Sequence, residues 1–274
     1  MKRLFLTASL VLTAPAVHAA GPGATAMEPE PVYAAPDAPS VGTGLVFTLR
    51  GGVATTPEYF GSDAYQVGPD LGFRLNRANV GPLDFGGDDE ENTYGLGLRG
   101  SFRYIGERNA DDFSELEGLD DVDATLELGL GLGYSARNFE AFADLRYGIG
   151  GHESLVGELG ADLKVQPSDQ LTLTAGPRML IGSDDFSSTY FGVSSEEAIA
   201  SDGAFEAYDA DGGVVSAGVE LGARYDLSGP WGVVGAVTYD RLVGDAADSP
   251  IVDRGDRNQY GLRVGITRQI TLGF

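Results

Sequence analysis

His152 and Ser154 are the residues of this chain whose types and spacing best fit nucleophilic catalysis. Two positions apart in an extended segment, their side chains share a face, as a nucleophile and its base require. They follow Gly148-Ile149-Gly150-Gly151, which reads as loop, and a solitary loop histidine is ordinarily just solvated. An Asp–His pair is conceivable on the same grounds, since acids abound.

Carboxylates gather in two places. Residues 106–123 carry Glu107, Asp111, Asp112, Glu115, Glu117, Asp120, Asp121 and Asp123. Residues 182–212 carry Asp184, Asp185, Glu196, Glu197, Asp202, Glu206, Asp209 and Asp211. Neither run has the spacing of a calcium-binding EF-hand loop, so solvated loops are expected and no metal or cofactor is assigned. With no cysteine, thiolate ligands, thiol nucleophiles and disulfides are excluded. The balance of 41 acids against 18 bases argues against nucleic acid as a partner.

The elements that would position these residues are strands. From Gly42 onward apolar and polar residues alternate, which puts one face of each segment in an apolar environment. The cleanest case sets Leu126, Leu128, Leu130 and Leu132 against Glu127, Gly129, Gly131 and Gly133. Similar segments run over 45–53, 65–75, 94–104, 139–148, 156–165, 170–181, 213–227, 231–242 and 259–274. Ten segments, each close to the 9–11 residues a tilted strand needs to cross a bilayer, predict an all-β fold: a transmembrane antiparallel up-and-down β-barrel. The closing segment ends on Phe274, which resembles the assembly signal of outer-membrane barrels.

Short turns at 135–138, 166–169 and 228–230 alternate with long connections at 106–123, 149–155, 182–212 and 243–258, so the short turns are expected on the periplasmic side. Residues 76–92 fit poorly as a turn. An extra pair of short strands there would give twelve strands instead of ten. Aromatic residues near strand ends, among them Tyr94, Tyr134, Tyr147, Trp231 and Phe274, are expected to form two girdles.

The inward face carries both signs, including Arg50, Asp70, Arg74, Arg99, Arg103, Glu127, Glu140, Asp144, Arg146, Glu158, Asp162, Lys164, Arg178, Glu220, Arg224, Asp240 and Arg263. In a narrow barrel opposed charges are expected to pair into a plug rather than line an open pore. Arg268 breaks the pattern by having outward parity. It either snorkels to the membrane boundary or marks a protein–protein seam.

Residues 1–19 read as a secretory signal: Lys2 and Arg3, an apolar core over 4–13, and Val17-His18-Ala19 before the cut. Residues 20–41, with five prolines, read as an extended periplasmic leader, and 42–274 as the barrel.

Six pieces resemble the MipA/OmpV family of MltA-interacting proteins: Pro57-Glu58-Tyr59-Phe60-Gly61-Ser62, Gly118-Leu119-Asp120-Asp121-Val122-Asp123, Gly150-Gly151-His152, Thr189-Tyr190-Phe191-Gly192-Val193, Tyr239-Asp240-Arg241-Leu242 and Asp245-Ala246-Ala247-Asp248-Ser249-Pro250-Ile251-Val252. The resemblance implies an outer-membrane protein without catalysis that scaffolds a lytic transglycosylase and a murein polymerase. It defines no partner-binding residues. A small-solute channel is the rival reading. The His152/Ser154 pair also resembles that of outer-membrane lipid A deacylases, and an Asp–His pair that of omptin proteases. Outer-membrane lipid and lipopolysaccharide, bridged to the acidic loops by divalent cations, are the remaining expected partners.

Overall fold

The computed structural model describes residues 24–25, 44–80, 83–85 and 95–273. The signal peptide, most of the leader and Phe274 lie outside the described residues, and so does the side chain of Arg74. One sheet contains twelve strands: β1 (Ala24–Thr25), β2 (Gly44–Pro57), β3 (Tyr65–Val80), β4 (Leu83–Phe85), β5 (Gly95–Ile105), β6 (Thr125–Ala136), β7 (Phe139–Gly150), β8 (Leu155–Ser168), β9 (Leu171–Gly182), β10 (Gly213–Asp226), β11 (Trp231–Leu242) and β12 (Asn258–Gly273). Each of the ten alternating segments falls on one of the long strands. Among the described residues between 76 and 92, β3 continues to Val80 and β4 is the one further strand. β4 is three residues folded back on Ala78–Val80.

Every ladder is antiparallel, and consecutive long strands pair from β5 through β12. β12 then pairs with β2 from Leu262↔Thr55 to Gly273↔Gly44, so the last long strand meets the first and the sheet curls into a barrel. At the other seam, Ala24 and Thr25 pair with Ile105 and Tyr104, at the end of β5 that leads into a long loop.

Alternation around the wall follows from the pleat. Leu126, Leu128, Leu130 and Leu132 are 40–67% exposed, whereas Glu127 between them is 0% exposed. An apolar outside around a charged inside has lipid, not water, as its solvent. Two glycines show how tightly the inside is filled. A Cβ on Gly148 would collide with the His152 ring, and one on Gly160 with the Phe142 ring.

The turns are tighter than the sequence suggests. β6 and β7 are separated by Arg137–Asn138 alone, and β8 and β9 by Asp169–Gln170, because backbone pairing runs almost to the chain reversal. At the opposite end the long connections are not open solvated loops. They fold into a lid containing α1 (Asp184–Phe191), α2 (Ser195–Ala200) and α3 (Gly244–Asp248), with 3-10 turns at Ala110–Asp112, Ser114–Leu116 and Val252–Arg254.

Local chemistry starts these helices. Ser183 caps α1 by accepting from Phe186 N, and Asp184 and Asp185 sit in the first turn, where the helix dipole favours acids. Ser194 and Glu197 form a reciprocal capping box on α2.

The hydrophobic core lies between lid and wall. Phe186, Tyr190 and Phe191 pack against Ile105, Val156, Leu180, Val215 and Leu242, inward-facing residues near the strand tops. A second cluster joins Tyr59, Leu116, Leu119, Val193, Phe205 and Ile251. Strict alternation over 213–227, with Arg224 and Glu220 inward, would turn Val215 outward; the structure does not follow it there. A bulge between Val214 and Ser216 leaves Val214 40% exposed and turns Val215 inward at 2%.

Candidate functional site

His152 is not a solvated loop residue. β7 runs through Gly150, so residues 151–154 form a tight link to β8, and the histidine folds back over Gly148 into the barrel. It is 4% exposed, as is Ser154. The His152 Nδ1 lies 2.8 Å from Ser154 Oγ and accepts from Ser154 N at 3.3 Å. With Nδ1 acting as acceptor, the ring proton sits on Nε2 and is donated to Glu127 Oε1 at 3.1 Å.

Serine, imidazole and carboxylate thus stand in the order of a nucleophile, its base and the group that orients the base. Both His152 and Ser154 are nevertheless closed off from solvent in this arrangement. The Phe186 and Tyr190 rings close on the imidazole with centroids 5.1 and 5.8 Å away. Neither His152 nor Ser154 lines the lumen cavity described below. Glu127 itself is held by Arg103 Nε at 2.9 Å and Arg146 Nε at 2.8 Å.

Those arginines belong to a network that crosses the lumen. Arg146 Nη1 also reaches Glu158 at 2.7 Å. Arg178 Nη2 meets Asp162 at 3.0 Å and Glu220 at 3.3 Å, and Arg263 meets Glu220 at 2.9 Å. Arg50 pairs with Asp70 at 2.9 Å, and Arg99 with Asp144 at 3.2 Å. Phe142 lies between two guanidiniums, Arg99 at 4.1 Å and Arg178 at 5.5 Å from its ring. The expected plug of opposed charges is therefore present. Between it and the lid a cavity of roughly 160 Å³ remains.

All six sequence pieces that carry the family resemblance converge on the lid or its seat. They supply buried Tyr59, Leu119, Val122, His152, Tyr190, Phe191, Leu242, Ser249 and Ile251. Ser249 Oγ donates to the Phe191 carbonyl at 2.6 Å, and Tyr190 OH meets Thr125 Oγ1 at 3.3 Å. Burial pushes the Tyr190 phenol up to about 12, and burial together with Glu115 raises Tyr59 further. Both rings remain neutral and act as packing with a polar tip.

Residues 49–270 match the family described as MltA-interacting protein MipA. The chain belongs to this family. The MltA-interacting protein of Escherichia coli strain K12 is 30% identical over 145 residues, 51% of this chain and 55% of that protein, as is the Shigella flexneri protein of the same name. The match spans about half the length of these relatives. The NanC porin superposes with a TM-score of 0.41 at 9% identity, over 82% of this chain and 100% of that one. An outer-membrane channel of Pseudomonas putida F1 gives 0.44 at 12%, over 87% and 100%. The family and this chain's own sheet, apolar outside and charged inside, agree on an outer-membrane β-barrel.

The sequence-level acids resolve in two ways. Glu107, Asp112, Glu117, Asp123, Asp184, Asp185, Glu196, Asp202, Glu206 and Asp211 are exposed, whereas Glu115 and Glu197 are half-buried. Glu115 accepts from Tyr59 OH at 3.4 Å and Glu197 caps α2. Among the described residues no group of three or more His, Asp and Glu side chains is placed to hold a metal.

Arg268 lies opposite Trp231, the first residue of β11, with its guanidinium 5.0 Å from the indole centroid. That places it near the turn-side boundary rather than the midplane, as snorkelling requires.

Proposed function

We propose that this protein is a non-catalytic scaffold of the outer membrane that brings a lytic transglycosylase and a murein polymerase together. The observation that carries the reading is the closed lumen of a chain in the MltA-interacting family: Glu127, Arg103, Arg146, Arg178 and Glu220 pair across the interior, under a lid with its own hydrophobic core. A filled interior suits a protein that acts through its surface more than one that passes solute. The inaccessible Ser154 supports the absence of catalysis.

Short turns offer little area to a periplasmic partner, so residues 26–41 of the leader, beyond the Ala24–Thr25 pair that joins β5 at its lid end, are the segment we assign to partner contact. The exposed acids of the lid suit divalent bridges to lipopolysaccharide phosphates. Pull-down of a lytic transglycosylase and a murein polymerase on the purified barrel, with and without residues 21–41, tests the proposal. Capture of both that is lost on truncation supports it. Capture of neither by the full chain removes it.

A further inference from the structure

The wall has a seam that no ladder closes. The sheet order starts β1-β5 and ends β3-β4, so among the described residues β3 and β5 face each other without pairing. Two short strands cover only the ends of the gap. β4 pairs with Ala78–Val80 at the turn end of β3, and Ala24–Thr25 pair with Ile105–Tyr104 at the lid end of β5. Below that pair the β5 edge presents backbone N–H and C=O groups to the seam, where lipid cannot satisfy them.

The chain itself supplies a filler. Thr25 stands at the lid end, and β2 starts at Gly44 at the turn end, where it pairs with Gly273. Residues 26–43 must therefore span the height of the barrel. A route through lipid is closed to them, because Glu28, Glu30 and Asp37 would lose their hydration there.

Register selects the route. Continued one for one below Thr25↔Tyr104, residues 26–34 fall opposite Arg103 down to Gly95. That length is close to the 9–11 residues of a membrane-crossing strand. Met27, Pro29, Pro31 and Tyr33 take the outward parity of Tyr104, and Ala26, Glu28, Glu30 and Val32 the inward parity of Ile105. Apolar residues then meet lipid, while Glu28 and Glu30 come level with Ser101 and Arg99, just below Arg103. Residues 20–41 contain no Lys or Arg to oppose that match. There is room as well. Among the described residues a Cβ on Gly97 would meet nothing within 4 Å, whereas one on Gly129 or Gly131 of β6 would collide. Pro29 and Pro31 lack N–H groups, so the contact uses their carbonyls and side-chain fit rather than a full ladder.

We propose that residues 26–34 fill the β3–β5 seam as an extra wall segment docked on the β5 edge, which puts residues 20–23 on the lid side of the membrane. This does not rest on the scaffold reading; it narrows the partner-contact stretch to 35–41, at the turn end.

The chain has no cysteine, so engineered ones report without background. Val32→Cys with Gly97→Cys is expected to form a disulfide under mild oxidation in the outer membrane, read as a gel-mobility shift reversed by reductant. Val32→Cys with Gly100→Cys, on the outward face, is expected to form none. Single substitutions in the leader decide the matter if the paired variants do not fold. Gly21→Cys is expected to react with a membrane-impermeant maleimide on intact cells, and Val41→Cys only after the outer membrane is permeabilised. Labelling of Gly21→Cys only after permeabilisation, or of Val41→Cys before it, overturns the crossing. Expected labelling with no in-register disulfide in the folded protein, or with an equal yield to Gly100→Cys, overturns the seam placement.

Discussion

The imidazole of His152 bridges two layers of the molecule, donating to Glu127 of β6 from beneath the Phe186 and Tyr190 rings of the lid. Replacing His152 with Ala removes this hydrogen bond and leaves a void under α1. A loss of about 1–3 kcal/mol is expected, the usual cost of a buried polar contact left unmade. Thermal unfolding in detergent, followed by gel mobility of the folded barrel, reads it as a lower melting temperature. An unchanged melting temperature would show that the lid stands without this anchor.

Ser154 is expected to be chemically silent. A fluorophosphonate probe needs an exposed, activated hydroxyl, and this one is 4% exposed. Labelling of Ser154 in the folded protein, absent in Ser154→Ala, would reopen the hydrolase reading.

Glu127 is the joint most sensitive to substitution. Glu127→Gln leaves Arg103 and Arg146 without the shared carboxylate that lies within 2.9 Å of both Nε atoms. Breaking a buried ion cluster from one side typically costs about 3–5 kcal/mol. Denaturant unfolding in lipid vesicles should therefore rank Glu127→Gln below His152→Ala. The reverse order would mean that the pairs contribute less than the lid contact.

Much of the wall was legible in the sequence because membrane strands impose one rule at every second position. Leu126 to Leu132 outward and Glu127 inward follow from that rule alone. The lid was not legible, because its apolar residues obey no period. Phe186, Tyr190 and Phe191 sit in a short helix whose exposed positions are acidic or hydroxylic, so the segment reads as polar loop.

The signals available were local ones: Ser183 ahead of two aspartates, and Ser194 three residues before Glu197. Inward-parity apolar residues at strand tops, such as Val156 and Leu180, also announced a dry core at that end. The lid contacts of His152 depend on which loops meet, and no spacing within one segment carries that information.

Acid should loosen the lid at α2. Burial alone would raise the Glu197 carboxyl, but hydrogen bonds from Asp120 N and Ser194 N outweigh it and hold it below the ordinary carboxylate range. A depressed folded value means that its contribution is fully present above the unfolded value of about 4.3 and is lost as pH falls through the folded value. Hydrogen exchange of the α2 amides should therefore accelerate below about pH 4 in the native protein. In Glu197→Gln the cap is weakened at every pH, so that step should vanish.

Arg268→Leu should change little. The guanidinium stacks on an exposed indole at the turn-side boundary, a contact worth about 0.5–1 kcal/mol. Stability is expected to fall by no more than that, with the oligomeric mass in detergent unchanged by light scattering. A drop in mass would instead identify the β11–β12 face as a protein–protein seam.

Electrical silence is the last expectation, and it separates the scaffold from a channel. Ions crossing the lumen would have to part Arg178 from Asp162 and Glu220, and Arg146 from Glu127 and Glu158. They would also have to pass a lid seated by Phe186, Tyr190 and Phe191. Breaking such buried pairs costs several kcal/mol each, which by itself suppresses passage a thousandfold or more at about 1.4 kcal/mol per tenfold. Planar bilayers holding the purified barrel should show no steady single-channel steps. Regular steps would mean that the lid and the paired lumen part together, and the channel reading would replace the scaffold.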